Sequence, residues 1–207
     1  MCAINDNKSD MLSIKIAILA SGSGSNAENI YNYFSGRKDV EICLIISNKV
    51  NAFVHNRAEK LGIPSLTISK QELDNPELVV EILKSYGIEF IVLAGYLLKI
   101  PTLLINAFPE KIVNIHPALL PKFGGKGMYG DNVHKAVIES GEKKSGITIH
   151  IVNENYDEGK TVFQAICPVN DNDTPDSLAH KVHELEYKHF PVVIDEILKN
   201  TFPDIVK

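Results

Sequence analysis

The sequence predicts an α/β fold: a mixed, mostly parallel sheet with helices on both faces, closed by an antiparallel hairpin near its C-terminal end. Three observations predict it. From Ile14 onward, short β-branched runs alternate with longer amphipathic ones, the rhythm of βαβ units. The strand-like runs Ile14 to Ala20 and Phe90 to Ala94 are apolar throughout, as strands must be when both faces of a sheet are covered. Near the end, "GITIHIV" and "TVFQAICPV" are separated only by "NENYDEGK", too short for a crossover helix and suited to a hairpin.

The elements follow in order. The polar, aperiodic start, "MCAINDNKSDML", reads as a flexible extension (1–13) ahead of one domain spanning 14–207. "IKIAILA" is a first strand, followed through "SGSGSNA" by a helix from about Asn26. "VEICLIIS" is a second strand with a helix from about Asn51 to Leu61, and "EFIVLAG" a third with a short helix near Leu98 to Ala107. "KIVNI" is the next strand. A long loop, His116 to Asp131, leads to a helix near Asn132 to Ser140, then the hairpin. The last helix runs from about Thr174 to Lys199, with Thr174 as N-cap and Pro175 in the first turn.

Composition narrows the function. A chain of 207 residues can bury a full core without metal or disulfide support. A net charge of -5 with scattered lysines offers no basic stripe, which argues against a nucleic-acid partner and for small-molecule substrates. Three cysteines, Cys2, Cys43 and Cys167, form no CxxC pair; Cys43 and Cys167 lie in apolar strand runs and are expected to be buried, inert thiols in a reducing compartment. No apolar run reaches 18 residues and no signal peptide is visible, so no membrane partner and a cytoplasmic location are expected.

Three motifs carry chemistry. In "VNIHPALLPKF", the alternation that buries Val113 and Ile115 turns Asn114 and His116 together to the opposite face. Pro117 cannot continue a central strand, so this polar pair is expected at the rim of the sheet, where α/β proteins place their ligands. A satisfied strand-end histidine beside a turn-forming asparagine is the structural alternative. "SGSGSNA" follows a strand and opens a helix, which converges backbone N–H groups and the positive helix end on one spot suited to an anion. Gly22, Gly24 and Ala27 fit the dinucleotide fingerprint, but the second strand ends in Ser47, Asn48 and Lys49 without the ribose-binding acid, which favours a mononucleotide-like ligand. A tight strand-to-helix turn alone also accounts for those glycines. Asp157 sits in the hairpin connection, as a turn former or, if the hairpin packs beside His116, as the partner that fixes its tautomer and keeps it protonated. His180 and His183 are spaced for a metal but lack a third ligand and read as a solvated helix face, whereas His55, His134, His150 and His189 give no signal.

Together, "ILASGSGSN", "ISNKVNAF", "VLAGYLLKI", "VNIHPALLPKFGG", "GITIHIV", "YDEGKTVFQ" and "ELEYKHFP" occur in the order seen in one family, and the chain resembles the glycinamide ribonucleotide formyltransferases, folate-dependent enzymes of purine biosynthesis. The resemblance covers Ile14 to Ile197. It implies a Rossmann-like nucleotide-binding half, about 14–112, and a folate and catalytic half, about 113–199. It implies direct transfer of the formyl group of 10-formyltetrahydrofolate to the amine of glycinamide ribonucleotide, without a metal. Asn114, His116 and Asp157 would be the catalytic set; Gly24, Ser25, Asn26, Pro117 and Glu186 would bind the ribonucleotide. Leu97, Leu98, Lys99 and Ile100, with Asn114 and the loop Asn153, Glu154, Asn155, Tyr156 and Asp157, would hold the folate, largely through backbone groups. A cis Leu120–Pro121 peptide is also implied. The chain departs from the family in carrying Tyr96, Leu97 and Leu98 where Phe-Met-Arg is common, and in a longer, Gly-richer loop, "KFGGKGMYGDN".

Formyltetrahydrofolate hydrolase and methionyl-tRNA formyltransferase share this core, but the first adds a domain before it and the second a domain after it, and 207 residues leave room for neither. A non-catalytic mononucleotide-binding module would keep "SGSGSN" and have no need of Asn114, His116 and Asp157 together.

Overall fold

A computed structural model describes residues 13–207; the expected N-terminal extension lies, but for Ser13, outside the described residues. Seven strands form one sheet in the order β3-β2-β1-β4-β5-β6-β7. The strands are β1 (Ile14–Leu19), β2 (Val40–Ser47), β3 (Ser65–Thr67), β4 (Phe90–Leu93), β5 (Ile112–His116), β6 (Lys144–Ile151) and β7 (Thr161–Pro168). Strands β1 to β5 pair in parallel, and β6 and β7 are antiparallel to their neighbours, as the sequence predicts. The helices are α1 (Ser25–Phe34), α2 (Val54–Leu61), α3 (Lys70–Leu73), α4 (Pro76–Ser85), α5 (Thr102–Ala107), α6 (Asp131–Glu139) and α7 (Pro175–Thr201).

The alternation along β1 divides the core into two layers. Ile16 and Ile18 point into a cluster with Ala27, Ile30 and Phe34 of α1 and Leu178, Val182 and Phe190 of α7. Ala17 and Leu19 point the other way, to Val79 and Leu83 of α4 and Leu104 of α5. The long last helix starts on a capping box in which Thr174 and Ser177 satisfy each other's backbone N–H groups, as its N-cap position predicts.

Several boundaries differ from expectation. The second helix begins at Val54 rather than Asn51, and the helix expected from Leu98 begins at Thr102, because Pro101 holds an extended φ/ψ and serves as its N-cap. The short edge strand β3 and helices α3 and α4 add to the elements the sequence predicts. Cys167 is buried, but Cys43 is only half-buried, with its thiol pKa pushed up to about 12, chiefly by burial. The Leu120–Pro121 peptide is cis. Among the described residues, no helix is long and apolar enough to cross a membrane.

Candidate active site

The strand order reverses between β1 and β4, and the loops leaving their C-terminal ends diverge around a cavity of about 740 Å³. On the β1 side, the chain turns at Gly24, whose φ of 75° is left-handed. A Cβ at Gly24 would lie 2.6 Å from the Val54 Cβ, so the turn requires glycine twice over. Among the described residues, Gly24 gives helix α1 no side-chain cap, and the segment Gly24 to Asn26 lines the cavity at the positive helix end, with the Ser25 N–H in a long 3.5 Å contact to Ser23 Oγ. The turn is held from outside: the Val54 N–H donates to the Gly22 carbonyl at 3.2 Å and Arg57 Nε to the Ser23 carbonyl at 2.9 Å, while Arg57 also pairs with Glu28. Asn26 Nδ2 donates to Glu186 Oε2 at 2.8 Å, which brings α7 to the same wall. Burial raises the Glu186 carboxyl above its ordinary pKa, and the Asn26 hydrogen bond only partly offsets this.

On the far side, the antiparallel register sets His150 opposite Asn114 and Thr148 opposite His116, so four polar side chains of β5 and β6 are cross-strand neighbours. Asn114 Nδ2 lies 3.1 Å from His150 Nε2, and His150 Nδ1 lies 3.3 Å from its neighbour's carbonyl at Ile151. These contacts agree if His150 is protonated at Nδ1 and accepts from the asparagine at Nε2, leaving the second Asn114 N–H free. His116 Nε2 donates to the Phe123 carbonyl at 2.8 Å. Its Nδ1 lies 3.6 Å from Asp157 Oδ2, and Asp157 Oδ1 lies 3.7 Å from His150 Nε2. Gly125 N–H donates to the same Asp157 carboxylate at 2.9 Å. The backbone from Phe123 to Gly125 therefore bridges the imidazole and the carboxylate. Thr148 secures the start of that loop: its hydroxyl donates to the Ala118 carbonyl at 2.7 Å and accepts from the Leu120 N–H at 3.0 Å.

The charge state of His116 corrects the sequence expectation. Burial lowers its pKa, and although Asp157 and the Phe123 carbonyl pull upward, the net shift is downward, so the resting ring is neutral at pH 7. Burial pushes the Asp157 carboxyl up, but the Gly125 N–H and attraction to the neighbouring His150 and His116 rings when these carry a positive charge outweigh it and hold the carboxyl below its ordinary pKa. The pair at rest is a neutral imidazole with its Nδ1 lone pair facing a carboxylate.

The remaining sequence candidates divide. Pro117, Glu186 and the segment Leu97 to Ile100 line the cavity, as do Asn153, Asn155, Tyr156 and Asp157; Glu154 does not. Lys99 Nζ stands 5.6 Å from the centre of the Tyr156 ring, joining the two segments expected to hold the folate. Sequence reasoning missed three histidines that line the cavity. His150 became visible only through the β5–β6 register. His134 is buried, with Nδ1 lacking a partner among the described residues, and His183 meets it edge to face at 6.4 Å. His183, which the sequence predicts on a solvated helix face, is exposed yet forms part of the cavity rim. Among the described residues, no group of three or more His, Cys, Asp or Glu side chains is placed to hold a metal.

The fold and the cavity define an α/β domain in which the N-terminal end of a helix faces a cluster of titratable and amide side chains across the C-terminal edge of its sheet. Residues 14–194 match the formyl transferase family, and the chain belongs to that family. It is 44% identical over 189 residues to the chloroplastic phosphoribosylglycinamide formyltransferase of Arabidopsis thaliana, an alignment covering 88% of this chain and 65% of that protein. It is 35% identical to the phosphoribosylglycinamide formyltransferase of Bacillus subtilis, covering 89% of this chain and 94% of that one. The chain thus spans just under two thirds of the plant relative's length and nearly all of the bacterial one's. The crystal structure of the phosphoribosylglycinamide formyltransferase from Bacillus halodurans superposes with a TM-score of 0.83 at 32% identity, covering 93% of this chain and all of that one.

Proposed function

We propose that this chain transfers the formyl group of 10-formyltetrahydrofolate to the amine of glycinamide ribonucleotide, as one formyltransferase domain over 14–207 with a nucleotide half (14–112) and a folate and catalytic half (113–199). The observation that carries the reading is the continuity of one cavity from the uncapped end of α1 to Asn114, His116 and Asp157. The phosphate meets the N–H groups of Gly24 to Asn26, with Glu186 and Pro117 on the ribonucleotide side. The folate lies along Leu97 to Ile100 and the loop around Tyr156. Free thiols at Cys43 and Cys167 fit a reducing, cytoplasmic setting.

The chemistry needs a donor for the growing oxyanion and a path for one proton. As the amine nitrogen bonds to the formyl carbon, charge builds on the formyl oxygen, and the free Asn114 N–H stabilises it. The amine must lose a proton and the departing folate nitrogen must gain one. The neutral His116 takes up that proton at Nδ1, the nitrogen not engaged by Phe123, and Asp157 stabilises the imidazolium that forms. Collapse of the intermediate breaks the bond from the formyl carbon to the folate nitrogen, and the proton passes to that nitrogen. A formyl-transfer assay with 10-formyltetrahydrofolate, run with and without glycinamide ribonucleotide, tests the reading. Folate consumption that depends on the ribonucleotide is expected; equal consumption in its absence would identify a hydrolase.

A further inference from the structure

We propose that the Ser21 hydroxyl is a positioning group that holds the folate-facing segment Tyr96 to Ile100 in place beside the phosphate-side turn. The inference rests on the substrate reading above and concerns a residue that reading leaves unused. Ser21 lies two residues past the end of β1, ahead of the turn at Gly24, and is 2% exposed. Its hydroxyl donates to Asn48 Oδ1 at 2.5 Å and accepts from the Leu97 N–H at 2.9 Å, and its own N–H donates to the Gly95 carbonyl at 3.0 Å. Three chain segments, following β1, β2 and β4, therefore meet at one oxygen.

Among the described residues, the bond from Leu97 to Ser21 is the single hydrogen bond that Tyr96 to Ile100 makes. Apolar burial of Tyr96 and Ile100 fixes how deep the segment sits, but burial is non-directional and does not fix how the backbone between them faces the cavity. A hydrogen bond does. The serine has one proton, and giving it to Asn48 leaves its lone pairs to Leu97, so the acceptor is oriented before any ligand arrives. Leu97 N–H is consequently committed inside the protein, and the backbone groups left for a folate on this segment are those of Leu98 to Ile100. The phosphate-side turn has its own supports in Val54, Arg57 and Glu186 and does not depend on the hydroxyl. Removing the hydroxyl should therefore affect the two substrates unequally.

The test compares Ser21→Ala and Asn48→Ala with the wild-type chain, by steady-state formyl transfer and by amide hydrogen exchange. Ser21→Ala leaves the Leu97 N–H unpaired and should raise KM for 10-formyltetrahydrofolate by about tenfold, with KM for glycinamide ribonucleotide within about twofold of wild type. Exchange of the Leu97 amide should quicken by a similar factor. Asn48→Ala keeps the acceptor and frees only its rotation, so it should show the same pattern at about threefold or less. Equal effects of the two variants on both substrates would make Ser21 a mere brace between strands and overturn the proposal, as would an unmoved folate KM in Ser21→Ala. Should Ser21→Ala fail to fold, an unchanged Leu97 exchange rate in Asn48→Ala overturns it instead. The amide readout needs no substrate, so wild-type protein inactive towards the ribonucleotide would sink the substrate reading while leaving the Leu97 anchor to be judged by exchange alone.

Discussion

On the β1 side of the cavity the groups that face a ligand are backbone N–H groups at a helix end, whereas on the β5–β6 side they are titratable or amide side chains clustered within hydrogen-bond or near-contact distance of one another. The first arrangement is created by conformation. It needs Gly24 in a left-handed turn and presents main-chain groups rather than titratable side chains. The second is created by burial and pairing, because His116 and His150 are each 3% exposed or less and their states are set by what touches them. The comparison teaches that one side should fail when a Cβ is added and the other when a charge or lone pair is taken away.

The largest expected effect is on the side-chain wall. In the proposed mechanism Asp157 stabilises the imidazolium, so Asp157→Asn should lower the His116 pKa further and depress kcat by about 10²–10³ with little change in either KM. If the two residues act on one proton as proposed, Asp157→Asn combined with His116→Ala should cost little more than the worse single change. Fully additive losses, or a His116 pKa that NMR finds unmoved by Asp157→Asn, would dissolve the unit. The neutral resting ring also has a stability consequence. A histidine whose folded pKa lies below its unfolded value of 6.5 holds fewer protons folded than unfolded, so stability falls as pH drops below about 6.5, and His116→Gln should flatten that part of the pH profile of Tm.

Gly24→Ala probes the backbone wall. The added Cβ meets Val54 and the φ of 75° becomes strained, so the turn and the start of α2 must separate. KM for glycinamide ribonucleotide should rise about tenfold or more, with kcat nearly kept, since the cost falls on binding rather than on the reacting atoms. Equal losses for both substrates would mean that the glycine serves only the fold.

Most of the sheet is legible in the sequence because its strands are continuous apolar runs broken by Gly and Pro. The exceptions have physical causes. Strand β3 has only three residues, all half-buried at the sheet edge, so no apolar run announces it. Asn114, His116 and Asp157 stand out in sequence because Pro117 and a hairpin expose them, but His150 lies in an apolar strand, "ITIHI", and acquires meaning only when the antiparallel register sets it opposite Asn114. Glu186 carried an overlooked signal. It occupies the apolar stripe Leu178, Val182, Glu186, Phe190, Ile194, Leu198 of α7, where a carboxylate needs a reason to be.

Gly124 lies where backbone and side-chain strategies meet. A Cβ there would stand 2.6 Å from Leu120 Cδ2 and 3.2 Å from Asp157 Cβ. The leucine tip can move, but the aspartate is held by Gly125, so Gly124→Ala should loosen the bridge from Phe123 to Gly125 and lower kcat by about three- to tenfold. An unchanged kcat would place the loop outside the catalytic arrangement and confine the side-chain wall to β5, β6 and Asp157.

The smallest effect, and the one that best separates charge from hydrogen bonding, is expected at Glu186. Glu186 is 6% exposed, and its carboxyl accepts from Asn26 on the backbone wall. A glutamine carbonyl can accept the same bond, so Glu186→Gln should keep Asn26 in place and raise KM for glycinamide ribonucleotide by only about threefold, through loss of charge or acceptor strength towards the ribonucleotide. Stability should move the other way. Burial raises the folded pKa of Glu186 above its unfolded value of 4.5, so the folded state binds more protons than the unfolded one between those values, and wild-type stability falls as pH rises through that window. Glutamine has no such penalty. Glu186→Gln should therefore melt higher than wild type at pH 7.5, by about 2 °C, with the difference shrinking towards pH 4 as the glutamate gains its proton and becomes neutral like the glutamine. A variant that melts lower at pH 7.5 would mean that the carboxylate is held by partners strong enough to outweigh its burial, and that α7 joins the side-chain wall as a charged member.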